Sequence, residues 1–464
     1  MGLMSRIAGL WRTRDELSPR NFRRALLPVI LVLPLNILLG DLRFLDQEMV
    51  LLGIDANSLI MMVFGLGFLP MLFAPESRIG PMLKAATVAE AVLLLAQLLM
   101  GHGLPRMLVY LAFHAVNGLC TACGFYLFGF LLNNVERLFT VAACQVYFAI
   151  TYLLRPWSPF PSGLRAVLAI TVMAGAALAA FRAKPLARDA RDIPPSSPGP
   201  LESGVGAVIA LNSIYYVITL MVMYIDYRET AASSTLYGAG GLLSIVLIAV
   251  VMLVFNYSAL HLWSLCLICS VLGIGALHYA GGLAVGGGSM LYGLGSGLGF
   301  MVINYLLGGA LRRSGGFRLF QLHCLFFCLT YVVVSGAVYL LWDGLGVAAV
   351  RLAFPIVLVL ALVCFLFAPV LERRLFRTDW TDGYHMADVP ALAEAEALPG
   401  VRALDLTPRE MEVFTLLLTE ASPKQIASQL KVSYATVNFH TKNLYRKLNI
   451  QSRTELFAQY GTAL

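Results

Sequence analysis

A segment near the C-terminus carries side chains suited to reading DNA. Asn438, Phe439 and Lys442 share one face of a predicted helix, because residues three and four apart are neighbours on a helix surface. Arg446 continues this face by one further turn. In the major groove asparagine pairs with adenine and lysine with guanine, and arginine side chains bind phosphates. The chemistry predicted for this helix is therefore hydrogen bonding to base edges.

Capping motifs place this helix third in a set of four. A serine or threonine followed three residues later by glutamate or glutamine marks a helix start, and this pattern begins at Thr407, Ser422 and Ser452. Ser433 is the predicted cap of the helix between them. Only residues 431–432 separate the second and third helices, which is typical of the tight turn in a helix-turn-helix.

Residues 401–464 carry an excess of positive charge. Eight lysine and arginine residues oppose five aspartate and glutamate residues in this stretch, and such an excess attracts the phosphates of nucleic acid. The alternative for this stretch is a solvated, cationic helical domain that binds a protein instead of DNA.

Short motifs in this C-terminal stretch resemble the DNA-binding domain of LuxR-type (NarL/FixJ-like) transcription regulators. The motifs are Leu406-Thr-Pro-Arg-Glu410, Lys424-Gln-Ile-Ala427, Val432-Ser433, Ala435-Thr-Val437-x-x-His440, Tyr445-Arg-Lys-Leu448 and Ser452-Arg-Thr-Glu-Leu456. The resemblance implies a four-helix domain that binds promoter DNA as a homodimer, with base contacts from Asn438, Phe439 and Lys442. It also implies phosphate contacts from Lys424, Thr436, Arg446, Lys447 and Arg453. Two positions depart from the family pattern: Asn438 replaces a basic residue, and Glu420 replaces a glycine.

Most of the remaining chain is predicted to lie in a lipid bilayer. Hydrophobic residues make up 59% of the 464-residue sequence and charged residues 13%, whereas soluble domains carry roughly 25% charge. A bilayer is crossed by about 20 apolar residues in a helix, and apolar runs predict six such helices on each side of a break at residues 182–204. No small-residue cleavage site follows the first run, so it is predicted to be an uncleaved span.

The predicted fold is all-α, a polytopic bundle of about twelve transmembrane helices followed by a four-helix helix-turn-helix domain. The central break is charged and then proline-rich, which is typical of a flexible linker. In chain order, the predicted segments are a basic cytoplasmic N-terminus at 1–24, a six-helix half-bundle at 25–181, a cytoplasmic linker at 182–204, a second half-bundle at 205–370, an acidic linker at 371–403 and the DNA-binding domain at 404–464.

Basic residues are distributed unevenly between alternate loops. Six arginines precede the first apolar run, and further basic clusters at 182–191, 312–318 and 373–377 fall on the same side of the predicted bundle. Basic loops are retained in the cytoplasm. Both termini are therefore predicted to be cytoplasmic, in a multi-pass protein of the inner membrane.

The arrangement of six plus six spans around a central loop resembles the major facilitator superfamily of transporters over roughly residues 20–370. Ser77-Arg78-Ile79-Gly80, after the second span, is similar to that family's Asp-Arg-x-Gly signature, with serine in place of the aspartate. Residues 308–315 carry glycines and arginines at the corresponding place in the second half, again without the acidic residue.

Polar side chains within the apolar runs are candidates for a ligand site. Burial of a polar group at membrane depth is costly, so such groups usually face a cavity or a partner helix. Each one alone is more often an interhelical hydrogen bonder than a ligand contact. Together they predict a polar cavity for a small molecule between the half-bundles, with tentative contacts from Glu90, His114, Asn117, Asn212, Tyr216 and Asn304.

No residue pattern predicts catalysis, a metal site or a cofactor. The eight cysteines lie within apolar runs, and their two Cys-x-x-Cys pairs lack the further ligands and polar surroundings of a metal site. The glycines from Gly293 to Gly299 lie within an apolar span, where they favour close helix packing over a nucleotide loop. His440 has no neighbouring ligand, which favours packing or a phosphate contact.

Three functions are compatible with these patterns. The first is a one-component transcription regulator whose bundle senses a small molecule and whose C-terminal domain binds promoter DNA. The second is a transporter of a small solute with an appended regulatory domain. The third is a regulator controlled by a membrane protein partner. The degenerate transporter signatures favour the first.

Overall fold

The computed structural model divides into two compact units, Met1–Gly383 and Tyr384–Leu464. We call them the membrane unit and the C-terminal unit, and each is described by itself. The structure describes residues 22–41, 50–51, 54–101, 103–154, 162–183, 205–226, 231–251, 261–279, 283–314, 316–337, 355, 358–359, 362–363, 406, 408–418, 423–430, 434–448, 450, 455–456 and 460.

The membrane unit is built almost entirely from helices, as its apolar runs predict. A short antiparallel pair of strands, β1 (Val50–Leu51) and β2 (Ile54–Asp55), precedes the second helix. The helices are α1 (Leu27–Asp41), α2 (Ala56–Leu66), α3 (Pro70–Phe73), α4 (Ile79–Leu99), α5 (Leu104–Phe130), α6 (Asn134–Leu154), α7 (Ser162–Arg182), α8 (Val205–Asp226), α9 (Ala231–Ala249), α10 (His261–Tyr279), α11 (Leu283–Ser314) and α12 (Phe317–Leu329). A π-helical turn, Thr330–Val334, continues α12.

Four described helices are long and apolar enough to cross a membrane: Glu76–Leu99, Leu104–Phe130, Val285–Leu311 and Phe317–Ala337. Six further described helical stretches of this unit are apolar but shorter, such as Arg24–Gly40. Most of the last predicted span, 346–369, lies outside the described residues. The count of twelve spans therefore stays a prediction.

Helix α11 packs tightly against its neighbours through glycine. At Gly293 a Cβ atom would collide with the backbone carbonyl of Tyr237 in α9, and at Gly288 it would lie 2.6 Å from the Cβ of Ala276 in α10. Small residues let membrane helices approach at backbone distance. The prediction that the glycine run serves helix packing is confirmed at Gly293.

Helices α6 and α9 join the two predicted half-bundles, 25–181 and 205–370, along one side. The Ser234 hydroxyl donates to the carbonyl of Tyr152 at 3.0 Å, and the rings of Tyr152 and Tyr237 lie 4.4 Å apart. A Cβ at Gly238 would lie 2.6 Å from the carbonyl oxygen of Ala149. The two half-bundles therefore meet here at backbone distance.

The first turn of α6 joins three parts of the membrane unit. Glu136 accepts hydrogen bonds from Arg23 Nε at 2.8 Å and Nη2 at 2.7 Å, which ties the segment before α1 to this turn. The neighbouring Arg137 is 1% exposed, and its Nη1 donates to the carbonyl of Gly308 in α11 at 2.8 Å. Glu136 thus holds the segment before α1, and the adjacent Arg137 holds α11 of the second half-bundle.

The C-terminal unit has three described helices, α13 (Pro408–Leu418), α14 (Pro423–Gln429) and α15 (Tyr434–Leu448). Two of them begin at the prolines that follow Thr407 and Ser422, as the capping motifs predict, although these cap residues lie outside the described residues. The core contains Val413, Phe414, Leu417, Ile426, Val437, Leu444 and Leu456. All described residues of this core lie within the unit, which is what independent folding of a domain requires.

The predicted fourth helix of the C-terminal unit is described only at residues 455–456 and 460. Leu456 is fully buried, and the ring of Tyr460 packs edge-on against Phe414 with 5.4 Å between centroids. Both contacts attach this part of the chain to the core formed by α13 and α15.

Candidate functional site

Helix α15 separates its residues into a buried face and an exposed face. Val437 and Leu444 are fully buried in the core, whereas Phe439 is 61% exposed. Lys442 and Arg446 are exposed, and Asn438 is half-buried beside them. The residues predicted to read DNA therefore share one accessible helix surface, which we call the α15 surface.

An ion pair between helices holds the second half of α15. Lys447 Nζ lies 2.7 Å from the carboxylate of Glu410 in α13, and Glu410 is 4% exposed. A charged hydrogen bond of this length fixes the two helices relative to each other. Both residues belong to motifs found in the sequence. Helical periodicity relates positions only within one helix, so it could not predict that Lys447 pairs with Glu410. A phosphate contact by Lys447 stays a prediction, and the ion pair gives this residue a structural role.

The remaining predicted phosphate contacts are described to different extents. Thr436 lies half-buried in the first turn of α15. The backbone of Lys424 lies in α14, whereas its side chain is outside the described residues. Arg453 is also outside the described residues.

An exposed phenylalanine between amide and basic side chains is suited to a DNA groove. The Phe439 ring is available for contact with a thymine methyl group, and Asn438 and Lys442 present hydrogen-bonding groups beside it. Arg446 Nη2 donates to the side-chain amide oxygen of Asn443 at 3.2 Å, which orients the guanidinium along the same surface. The α15 surface therefore combines base-reading and phosphate-binding groups.

In the first half-bundle, buried polar side chains form a small network. Asn117 Nδ2 in α5 donates to the Glu90 carboxylate in α4 at 2.7 Å and to the backbone carbonyl of Asn36 in α1 at 2.8 Å. The Cys120 thiol also hydrogen-bonds with Glu90. His114, one turn before Asn117, is buried with its ring edge-on to Tyr110 at 4.6 Å. Three of the six tentative ligand residues therefore lie in this half.

The other three tentative ligand residues lie in the second half-bundle. Asn212 and Tyr216 are one turn apart in α8 and both are buried. Asn304 Nδ2 in α11 lies 3.5 Å from the Tyr216 hydroxyl and 2.8 Å from the carbonyl of Phe300. Among the described residues, no hydrogen bond links these residues with the Glu90 network. The six residues thus form two polar groups in separate half-bundles.

Tyr216 also belongs to an aromatic cluster between the half-bundles. The Phe327 ring in α12 lies at its centre, and we call this set the Phe327 cluster. Its members, with centroid distances to Phe327, are Phe64 (6.4 Å), Phe68 (4.3 Å), Phe125 (5.9 Å), Tyr216 (4.8 Å), His323 (5.8 Å) and Tyr331 (4.6 Å).

The Phe327 cluster was not predicted from the sequence. His323 was detectable, because a histidine in the middle of an apolar run meets the same criterion as the other candidates. Its aromatic neighbours were not detectable, since they come from four separate parts of the chain and phenylalanine is an ordinary residue in apolar helices.

Comparison with protein families identifies the C-terminal unit. Residues 404–459 match the model of bacterial regulatory proteins of the luxR family. The spore germination protein GerE of Bacillus subtilis is 44% identical over 50 residues, which are 11% of this chain and 68% of that protein. A nitrate/nitrite response regulator protein homolog of Haemophilus influenzae is 54% identical over 48 residues. The chain covers 23% of that regulator's length, so the similarity is confined to one domain.

Comparison with solved structures concerns the membrane unit. The crystal structure of the human organic anion transporter MFSD10 (TETRAN) matches over 79% of this chain and 100% of that chain, with a TM-score of 0.51. Sequence identity is 14%, so the similarity is one of fold.

Proposed function

Because the chain belongs, through residues 404–459, to the luxR family of bacterial regulatory proteins, we propose that it is a membrane-bound transcription regulator. Its membrane unit has a fold like that of major facilitator superfamily transporters. The α15 surface is the observation that carries the proposal, since it presents an asparagine, an exposed phenylalanine and two cations on a helix-turn-helix. The domain binds promoter DNA as a homodimer, with paired half-sites read by two copies of α15.

Substitutions on the α15 surface are expected to separate base reading from phosphate binding. Asn438→Ala and Lys442→Ala should each weaken specific binding by about 1–3 kcal/mol and relax the preference at one base pair. Arg446→Ala should weaken binding to all DNA sequences. It should also reduce, by about one, the magnitude of the slope of the logarithm of the binding constant against the logarithm of the salt concentration, here called the salt slope. Titration of a 400–464 fragment with specific and unrelated DNA at several salt concentrations measures both effects. The DNA-binding proposal fails if all three variants retain the affinity and salt slope of the unaltered fragment.

We assign the sensing of a small molecule to the membrane unit. Buried polar groups at membrane depth are costly unless they bind something, and both half-bundles contain them at their cores, at Glu90 and Asn117 and at Asn304 and Tyr216. A ligand that binds one arrangement of the halves better than another shifts their equilibrium, typically by about 1–3 kcal/mol. Such a shift would alter how readily two C-terminal units meet on DNA.

The proposed location is the inner membrane with both termini in the cytoplasm. A cysteine at Ser158 should react with an impermeant thiol reagent added outside, and a cysteine at Ser196 should react only after the membrane is opened. The seven described native cysteines are buried, which keeps the background low. Labelling of both positions from outside, or of Ser196 alone, would contradict this topology.

The transporter fold supports a second candidate function, which is solute transport with an appended regulatory domain. Reconstituted vesicles distinguish the two. A sensor changes promoter occupancy with ligand and shows no net flux, whereas a transporter moves its solute and leaves promoter occupancy unchanged.

A further inference from the structure

The Phe327 ring is held between two other rings. The planes of Phe327 and Phe68 are 25° apart with centroids at 4.3 Å, and those of Phe327 and Tyr331 are 21° apart at 4.6 Å. Two rings that shared one face of Phe327 would lie in contact, and Phe68 and Tyr331 make no ring contact with each other in the described part of the chain, so they lie on opposite faces. The arrangement is a slot for one flat ring, with Phe68 and Tyr331 as walls and Phe327 as the present occupant.

The walls of this slot belong to different half-bundles. Phe68 lies between α2 and α3 in the first half-bundle, and Tyr331 lies in the π-helical turn after α12 in the second. An occupant of the slot therefore contacts both halves at once. A π-helical turn inside an α-helix is often a functional feature, and here it carries one of the two walls.

Two buried polar atoms, one in the Phe327 cluster and one in a residue that contacts Tyr216 of that cluster, have no hydrogen-bond partner among the described residues. His323 Nε2 and Asn304 Oδ1 are both unpaired, although each side chain is only 1% exposed. The His323 ring lies among Phe125, Phe320 and Phe327, with centroids 5.8, 6.5 and 5.8 Å away. A buried polar group without a partner is costly and requires an explanation. A ligand with one polar group beside its ring provides such a partner.

The chemistry of the slot disfavours an ionic ligand. The six rings around Phe327 come from phenylalanine, tyrosine and histidine, and the arginines of the contributing helices lie near helix ends, at Arg106 in α5 and Arg318 in α12. A buried ion without an opposite charge is strongly disfavoured. Cages for organic cations surround the charge with ring faces, whereas two near-parallel walls accept a flat ring.

We propose that the membrane unit binds an uncharged, planar aromatic molecule carrying one N–H or O–H group, in the slot between Phe68 and Tyr331. The ligand ring replaces the Phe327 ring, which rotates away, and the polar group pairs with Asn304 Oδ1 or His323 Nε2. This inference rests on the proposed sensing function and names the class of ligand sensed.

The test uses the purified full-length protein in detergent, with indole as a flat, neutral probe that carries one N–H group. Indole is expected to raise the unfolding temperature in a saturable manner. Cyclohexanol has no flat ring, benzoate is charged, and tetramethylammonium is charged and has no ring. All three should leave the unfolding temperature unchanged. Equal stabilisation by cyclohexanol would overturn the proposal of an aromatic slot.

Variants of the slot should act in opposite directions. Phe68→Leu and Tyr331→Leu remove a stacking wall and should weaken indole binding by about tenfold. Phe327→Leu removes the competing ring and should tighten binding by at least a similar factor. Phe113→Leu is the matched control, since Phe113 is also fully buried but lies within the first half-bundle. The proposal is wrong if Phe113→Leu tightens indole binding as Phe327→Leu does, because any core cavity would then suffice.

Failure of this inference is distinguishable from failure of the proposed function. If indole binds neither the unaltered protein nor Phe327→Leu, the ligand class is wrong, while DNA binding by the α15 surface is unaffected. If indole binds the slot and promoter occupancy does not respond, the slot is confirmed and the sensing function fails.

Discussion

Replacing Gly293 with valine is expected to abolish folding of the membrane unit. The nearest atoms to a Cβ at this position are the carbonyl oxygen, carbonyl carbon and Cα of Tyr237, all backbone atoms of α9. Overpacking of a core by side chains typically costs about 1–3 kcal/mol, and backbone atoms cannot rotate away as side chains do. We therefore expect a larger cost, with little monodisperse protein on size-exclusion chromatography in detergent.

Gly287 provides the matched control for this prediction. It lies in the same helix, and a Cβ there would meet nothing within 4 Å. Gly287→Val should therefore give a yield and elution profile close to those of the unaltered protein. Similar behaviour of the two valine variants would show that helix packing at Gly293 does not limit folding.

In the C-terminal unit, Phe414→Ala is expected to remove most of the folding stability. Phe414 is fully buried, contacts Tyr460 and lies in the one core that the described residues of this unit form. Truncation of a buried phenylalanine to alanine costs about 3–5 kcal/mol, and domains of about 60 residues are marginally stable. Circular dichroism of the 400–464 fragment should show a loss of helical signal at room temperature.

A second phenylalanine in the same domain separates folding from recognition. Phe439 is 61% exposed, so Phe439→Ala should change the free energy of unfolding by no more than about 0.5 kcal/mol. It should nevertheless weaken DNA binding, since the ring belongs to the α15 surface. Unfolding of both variants at the same temperature would contradict the assignment of Phe414 to the core and Phe439 to the surface.

Local sequence patterns predicted the helices of the C-terminal unit well. Helix starts at Pro408 and Pro423 follow from capping chemistry, and burial of Val437 and Leu444 follows from helical spacing. Both signals act over a few residues, so they are readable without knowledge of the fold. The exposed side of α15 follows from the same periodicity.

Pairings between distant residues were not predictable from one sequence. Arg137 and Gly308 are 171 positions apart, and Lys447 and Glu410 are 37 apart. Polarity identified Glu90 and Asn304 as unusual, and their place in one cavity stays a prediction. It could not give their hydrogen-bond partners, which are Asn117 for Glu90 and Tyr216 for Asn304. Apolar periodicity also could not single out Phe327, because stacking depends on the arrangement of four chain segments.

In the membrane-bound regulator proposed above, the buried Arg137 would lie at the cytoplasmic end of a span and at the edge of the transmembrane field, because the adjacent Glu136 pairs with Arg23 of the predicted cytoplasmic N-terminus. An arginine stays charged, and the acceptors of Arg137 are carbonyl and amide oxygens, while the adjacent Glu136 is paired with Arg23. Moving one charge through 100 mV changes the free energy by about 2.3 kcal/mol, so a shift through a tenth of the field is worth about 0.2 kcal/mol. Since ligand coupling is typically about 1–3 kcal/mol, membrane voltage would bias promoter occupancy only slightly at a fixed ligand concentration.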